Sequence, residues 1–291
     1  MPDKSAPLEA PPLAEHGAAV LPSVSIDTYG AEIRDAEGFV GDRASNTAFR
    51  EILDKWRKRL KEIDEDPLAV GEKKAARTRA KNGNGKGEKL SKRKLDRVLV
   101  TGDPKAAGLV VSAIEEFAQE LAGVIRRFLK LKAWQGTEQI VIGGGFRNSR
   151  IGEVVIGRTE VLLKADDIDV SLVPIRHHPD EAGLIREAEK SKFGLAPFIG
   201  VGCPGLIEKD GAIRRGGQNL PGGNWESKNF NLPQALHEAV PETGGHSTVV
   251  LLRNDAVVQG LSEVPFRREV KHWAVLTVGT GLGNARFTNR E

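Results

Sequence analysis

Two stretches of the chain repeat apolar residues at three- and four-residue spacing, and several others gather them into short continuous runs. Within 47–63, Phe49, Ile52, Leu53, Trp56, Leu60 and Ile63 recur at helical spacing with Lys and Arg between them, which predicts an amphipathic helix. Ser45 or Asn46 is placed to cap it. A longer helix is expected from Asp103-Pro104, where proline sits in the first turn and its missing N–H costs nothing. Its buried stripe would be Leu109, Val110, Ile114, Phe117, Leu121, Val124, Ile125 and Phe128. Further helices are expected over 151–163 and 179–190. The runs 138–142, 170–174, 196–201, 248–252 and 273–278 read as strands, and 24–33 alternates weakly enough for a short one. Helices alternating with apolar strands indicate an α/β architecture. In such sheets ligands collect at the loops that follow strand ends.

Two segments stand apart from this pattern. Residues 1–22 carry five prolines and few large apolar groups, as a disordered tail does. Residues 71–94 crowd Lys and Arg among Gly and Asn, which reads as a solvated, mobile basic loop. Without an aromatic residue to stack a base, that run argues poorly for nucleic acid. The whole-chain charge of +3 agrees, being too small for a general polyanion platform. A single cysteine, Cys203, rules out an internal disulfide and suits a cytoplasmic setting. No run of apolar residues is long enough to span a membrane. At 291 residues the chain is long enough for two packed lobes or one large domain.

Candidate chemistry lies in the loops at strand ends. Gly143-Gly144-Gly145 follows the strand ending at Ile142; such a triplet lets a ligand approach backbone N–H groups, and is as often a tight turn. Gly202-Cys203-Pro204-Gly205 is a sharp turn, with Asn219-Leu220 and Trp225 further on. Asn254-Asp255 follows the strand 248–252. Both side chains accept hydrogen bonds from hydroxyls, and the carboxylate can take a proton; equally, Asp255 could cap the helix that starts there. Gly279-Thr280-Gly281 opens a glycine-rich turn between two strands, able to wrap phosphates through backbone N–H groups but lacking the lysine and following helix of a Walker loop.

Taken together, IGVGCPGLIEKDGAI, QNLPGGNW, VVLLRNDAVVQGLSE and VLTVGTGLGNA over 196–288 resemble the ROK family of sugar kinases in order and spacing. GDPKAAGLVV through IVIGGGF at 102–145 resembles that family's late helix and adenosine-side glycine loop, and HHPDEAGLI at 177–185 its C-terminal helix start. The resemblance implies a two-lobed actin-like ATPase (ribonuclease H-like) fold, here permuted and incomplete. It implies ATP-dependent phosphorylation of a hexose hydroxyl, with magnesium arriving with ATP. By position, Asp255 would be the general base, Asn254 and Asn219 would bind the sugar beside it, and Gly279, Thr280 and Gly281 would hold the phosphates. Gly143, Gly144 and Gly145 would lie against the nucleotide. Partners would be a glucose-like hexose and ATP, without membrane or nucleic acid; a homodimer is left open.

The chain departs from the family's pattern in three ways. The glycine triplet and the DEAGL segment precede the other motifs instead of following them, as a circular permutation would produce. The Asp-x-Gly-Gly-Thr phosphate hairpin is missing before the Pro-Gly segment. The Glu-x-Gly-His sugar segment and a cysteine-rich zinc site do not follow the glycine turn; Asp27, Glu32, Glu37 and Asp42 are available in 24–43 without an assignable role. The lobes would be 23–192 and 193–291. A non-catalytic sugar-binding regulator and an inactive, internally deleted paralogue remain rival readings. His177-His178 beside Asp180-Glu181 suits a helix start better than a metal site, and Cys203 has no partner that would make it a nucleophile.

Overall fold

The computed structural model describes residues 16, 20–21, 23–62, 66–68, 91–145, 149–176, 197–217, 220 and 222–290. The helix expected over 179–190, the His177-His178 pair, Asn219 and the basic run over 71–90 lie outside the described residues. Of the expected tail, His16, Val20 and Leu21 are described, and they are tied to the fold. Val20 bridges Ser25, and the backbone N–H of Leu252 donates to His16 Nδ1.

The elements in chain order are β1 (Val24–Tyr29), β2 (Arg34–Asp35), β3 (Gly38–Phe39), α1 (Asn46–Lys61), α2 (Lys92–Thr101), α3 (Pro104–Leu129), β4 (Gln139–Gly144), α4 (Arg150–Ala165) and β5 (Ser171–Pro174). They continue with β6 (Phe198–Cys203), β7 (Leu206–Ile207), β8 (Ile213–Arg215), α5 (Leu232–Ala239), β9 (Glu242–Thr243), β10 (His246–Ser247), β11 (Val249–Asn254), α6 (Asp255–Glu263), β12 (His272–Val278) and β13 (Leu282–Asn289).

The principal sheet has five strands in the order β1-β13-β12-β4-β5. β1, β13 and β12 pair antiparallel, and β12, β4 and β5 pair parallel. This sheet draws on both sides of the expected lobe boundary at 192/193, since β12 and β13 complete it. Strand side chains alternate faces, and the two faces fill two cores. Ile140, Ile142, Ala274, Leu276 and Val278 face the core shared with α1, α2, α3 and α4. Val141, Trp273, Val275 and Phe287 face the other, beneath Ala256 and Val257 of α6. A second, two-stranded parallel sheet joins β6 to β11 over a small cluster of Cys203, Ile207, Ile213 and Leu252.

The long helix matches its sequence pattern. Asp103 Oδ1 accepts from the N–H groups of Lys105 and Ala106, Pro104 occupies the first turn, and the whole expected stripe from Leu109 to Phe128 is buried. For α1 the cap is Ser45, whose hydroxyl accepts from Ala48 N–H at 3.0 Å, and Asn46 is the first helical residue. The expected basic loop ends too late at 94. Ser91 caps α2, and Lys92, Arg93 and Lys94 form its first turn. The charges masked an amphipathic helix that buries Leu95 and packs Val98 and Leu99 against the core.

Candidate active site

α6 begins where β11 ends, so residues 254 and 255 mark a strand-to-helix switch. The helix cap is Asn254 and not Asp255. Asn254 Oδ1 accepts from Ala256 N–H at 3.0 Å and from Val257 N–H at 3.4 Å, and its amide donates to the carbonyl of Gly205 at 2.8 Å. The carbonyl of this side chain is therefore committed to structure, and it secures the turn after Cys203. Asp255 is left one step into the helix, with its Oδ1 accepting from Ala256 N–H at 2.9 Å. Burial pushes the Asp255 carboxyl above the ordinary aspartate range, and its hydrogen bonds to the local backbone offset part of that rise. The same burial, with the Asp255 charge beside it, drives the Cys203 thiol up to about 11, which makes it inert as a nucleophile.

The hairpin between β12 and β13 meets this switch. Space is close here: a Cβ on Gly283 would lie 3.4 Å from Ala256 Cβ, so the strand after the turn passes directly by the start of α6. Asn254, Asp255, Gly279, Thr280, Gly281 and Gly283 line one cavity of about 380 Å³. The carboxylate and the glycine turn thus face a common space. Within the turn, Gly279 N–H donates to Gly281 O at 2.9 Å.

Two groups of cavity residues had no assigned role in the sequence. Gly30, Ala31 and Glu32 form one wall. Asn284 holds them there: its amide donates to Ala31 O and its Oδ1 accepts from Ala31 N–H, both at 2.9 Å, while Gly30 N–H donates to the Asn284 carbonyl. Asn284 is a buried polar residue of β13, and such a group needs hydrogen-bond partners. Pro204, Gly205, Leu206, Arg215 and Gly216 form the other wall. Glu32 and Arg215 approach each other across the space, at 3.5 Å.

The glycine triplet does not line this cavity. Gly143 and Gly144 pair in register with Thr277 and Val278, one strand over. A side chain at Gly143 would overlap Gln259, and Gly144, at φ +82°, passes against the Val278 carbonyl. Gly145 N–H donates to that same carbonyl at 3.2 Å. The triplet is thus explained by close packing of β4 on β12 and α6. Behind the glycine turn, Asn46 N–H donates to Gly279 O at 2.9 Å and its side-chain amide to Val278 O at 3.2 Å. Lys92 Nζ donates to Asn46 Oδ1 at 2.7 Å and to Gly145 O at 2.6 Å. These bonds tie the ends of β4 and β12 to the starts of α1 and α2.

The arrangement defines a mixed α/β protein whose cavity joins a half-buried carboxylate to a glycine turn. Glucokinase from Thermotoga maritima is 35% identical over 96 residues, which cover 32% of this chain and 27% of that protein. The chain therefore matches about a quarter of the length of that curated relative. No family model matches the chain, and no solved structure matches it. Among the described residues no helix is long and apolar enough to cross a membrane, and no group of three or more His, Cys, Asp and Glu side chains is placed to hold a metal ion.

Proposed function

We propose that the protein transfers a phosphoryl group from ATP to a hexose hydroxyl, as a sugar kinase of the ROK type. The observation that carries this reading is the shared cavity of Asp255 and the Gly279–Gly283 turn. The glucokinase similarity supports it over a third of the chain. Asp255 accepts the proton of the attacking hydroxyl, whose oxygen forms the new bond to the γ-phosphorus as the bond to ADP breaks. A carboxylate whose pKa is raised by burial is a better base than an exposed aspartate. Because Gly279 N–H is spent within the turn, Thr280 and Gly281 are the residues whose amides would meet phosphate oxygens. Positioning and charge stabilisation supply most of the rate in such reactions. Magnesium belongs here to the ATP that carries it. Glu32, on the wall opposite Arg215, adds a second carboxylate able to accept from sugar hydroxyls.

The same reading carries the fold. A five-stranded sheet that is antiparallel at one end and parallel at the other, flanked by helices on both faces, supports a permuted actin-like lobe. The two-stranded sheet β6–β11 would then be what remains of its companion.

A coupled assay with ATP–Mg²⁺ and glucose tests the proposal, with Asp255→Asn expected to abolish turnover while glucose binding persists. Normal turnover in that variant would refute it. One observation favours a second reading, a sugar-binding regulator without transfer: the sequence lacks the Asp-x-Gly-Gly-Thr hairpin, and among the described residues Glu32 and Asp255 are the cavity's carboxylates. Calorimetry decides between them, since a regulator would bind glucose and show no turnover with ATP.

A further inference from the structure

Among the described residues that line the cavity, Arg215 is the one cation. It sits at the end of β8, and its backbone packs against Gly205: a Cβ at Gly205 would overlap the Arg215 carbonyl oxygen. The side chain is held loosely. Its NH1 is 3.5 Å from Glu32 Oε2, and its NH2 is 3.5 Å from the carbonyl of Gly30. Both contacts are at the limit of a useful interaction. The guanidinium and carboxylate are 52% and 43% exposed, so water competes for each of them. An exposed pair of this kind contributes little to stability. Paired oxyanion oxygens would hold the same guanidinium better, through two parallel charge-assisted hydrogen bonds.

We propose that Arg215 is the oxyanion-contacting residue of this cavity, resting on Glu32 until a phosphate or carboxylate group enters. The inference rests on the reading of this cavity as a ligand site. The entering group displaces Glu32 from the guanidinium. Glu32 is then released to accept hydrogen bonds from the ligand's hydroxyls, so one event arms both walls. The shared chemistry is a planar or tetrahedral oxyanion. Its source is either the polyphosphate of the donor or an acid group on the acceptor sugar.

Isothermal titration of the full chain with tripolyphosphate, glucuronate and glucose tests this. The parent is expected to bind tripolyphosphate or glucuronate, and the one bound identifies the source. Arg215→Met should weaken that anion on the order of 10- to 100-fold, with Arg215→Lys intermediate. Glu32→Gln, which keeps the guanidinium and removes its resting partner, should tighten the anion by a few-fold. Failure of the parent to bind either anion, or equal anion affinity in parent and Arg215→Met, overturns the inference. These titrations do not need turnover. Anion binding lost in Arg215→Met in a protein without transfer activity keeps the inference and rejects the kinase reading. An active kinase with unchanged KM values in Arg215→Met does the reverse.

Discussion

The side-chain amide of Asn254 donates to the carbonyl of Gly205 at 2.8 Å, joining the first turn of α6 to the turn that follows β6. One asparagine thereby fixes both the helix that carries Asp255 and a wall of the cavity. Replacing it separates these roles. Asn254→Ala loses the cap and the Gly205 bond together and is expected to cost about 2 kcal/mol. Asn254→Asp keeps an acceptor for Ala256 and Val257 N–H and should recover about half, because only the donation to Gly205 is lost. Urea unfolding of the variants measures this; equal midpoints for the two would show that the cap acceptor contributes nothing and the Gly205 bond everything.

Asp255 has its pKa raised in the folded state, chiefly by burial. A group of this kind stabilises the fold fully below its unfolded pKa of about 3.9, and that contribution disappears as pH rises through the higher folded value. At neutral pH the ionised carboxylate therefore opposes folding. Asp255→Asn should be more stable than the parent at pH 7, with the gap closing as the pH falls toward about 4. Denaturation midpoints across that range test the sign. If Asp255 is the base of the proposed transfer, the acid limb of kcat/KM should lie above the ordinary aspartate value, and a limb at or below it would remove Asp255 from that role.

Elements with strong periodicity were legible from the sequence, and close packing was not. The stripe from Leu109 to Phe128 announces α3 because every third or fourth residue must meet the core. Asp255 and Gly279–Gly281 were legible as polar and glycine residues at strand ends, and one cavity brings them together. The triplet Gly143–Gly145 carried the same local signal, yet it serves the contact with Gln259 and Val278. Nothing in three successive glycines distinguishes a backbone that meets a ligand from one that meets a neighbouring strand. Glu32 and Arg215 could not be paired in advance, since 183 positions separate them and only the β1–β13 ladder brings the first segment to the cavity. The start of α2 was hidden by Lys92-Arg93-Lys94, whose charges resemble the run before them.

Gly260 offers a test of packing without chemistry. It lies in α6 above Phe287, whose ring is fully buried and stacked on Trp273 with centroids 4.4 Å apart. Glycine in a helix interior is ordinarily improved by alanine, by about 1 kcal/mol. Here an added Cβ would overlap the Phe287 ring, so the sign reverses. Gly260→Ala should destabilise by about 1–3 kcal/mol, read as a lower denaturation midpoint. A gain in stability would mean that α6 can lift from the sheet, and with it Asp255 from its place.

Lys92 ties the ends of β4 and β12 together through Gly145 O and Asn46 Oδ1, and its ammonium is depressed to about 8. Burial is the main cause, Arg50 on α1 adds repulsion, and Asp96 on α2 opposes both. A lysine whose folded pKa lies below its unfolded value binds fewer protons in the native state. Its contribution to stability therefore grows as pH rises from about 8 toward the unfolded value of about 10.4. Lys92→Met removes that dependence along with the two hydrogen bonds. The parent should gain stability relative to the variant over this window, measured as the difference in denaturation midpoints at successive pH values. A constant difference would mean that Lys92 keeps its proton throughout. If it does titrate, the ammonium's hold on the Gly145 carbonyl weakens over the same window, while Asn46 still secures the glycine turn through Val278 and Gly279. The turn beside Thr280 should then keep its shape at high pH even as the end of β4 loosens. Hydrogen exchange should show earlier loss of protection at Gly145 N–H than at Asn46 N–H.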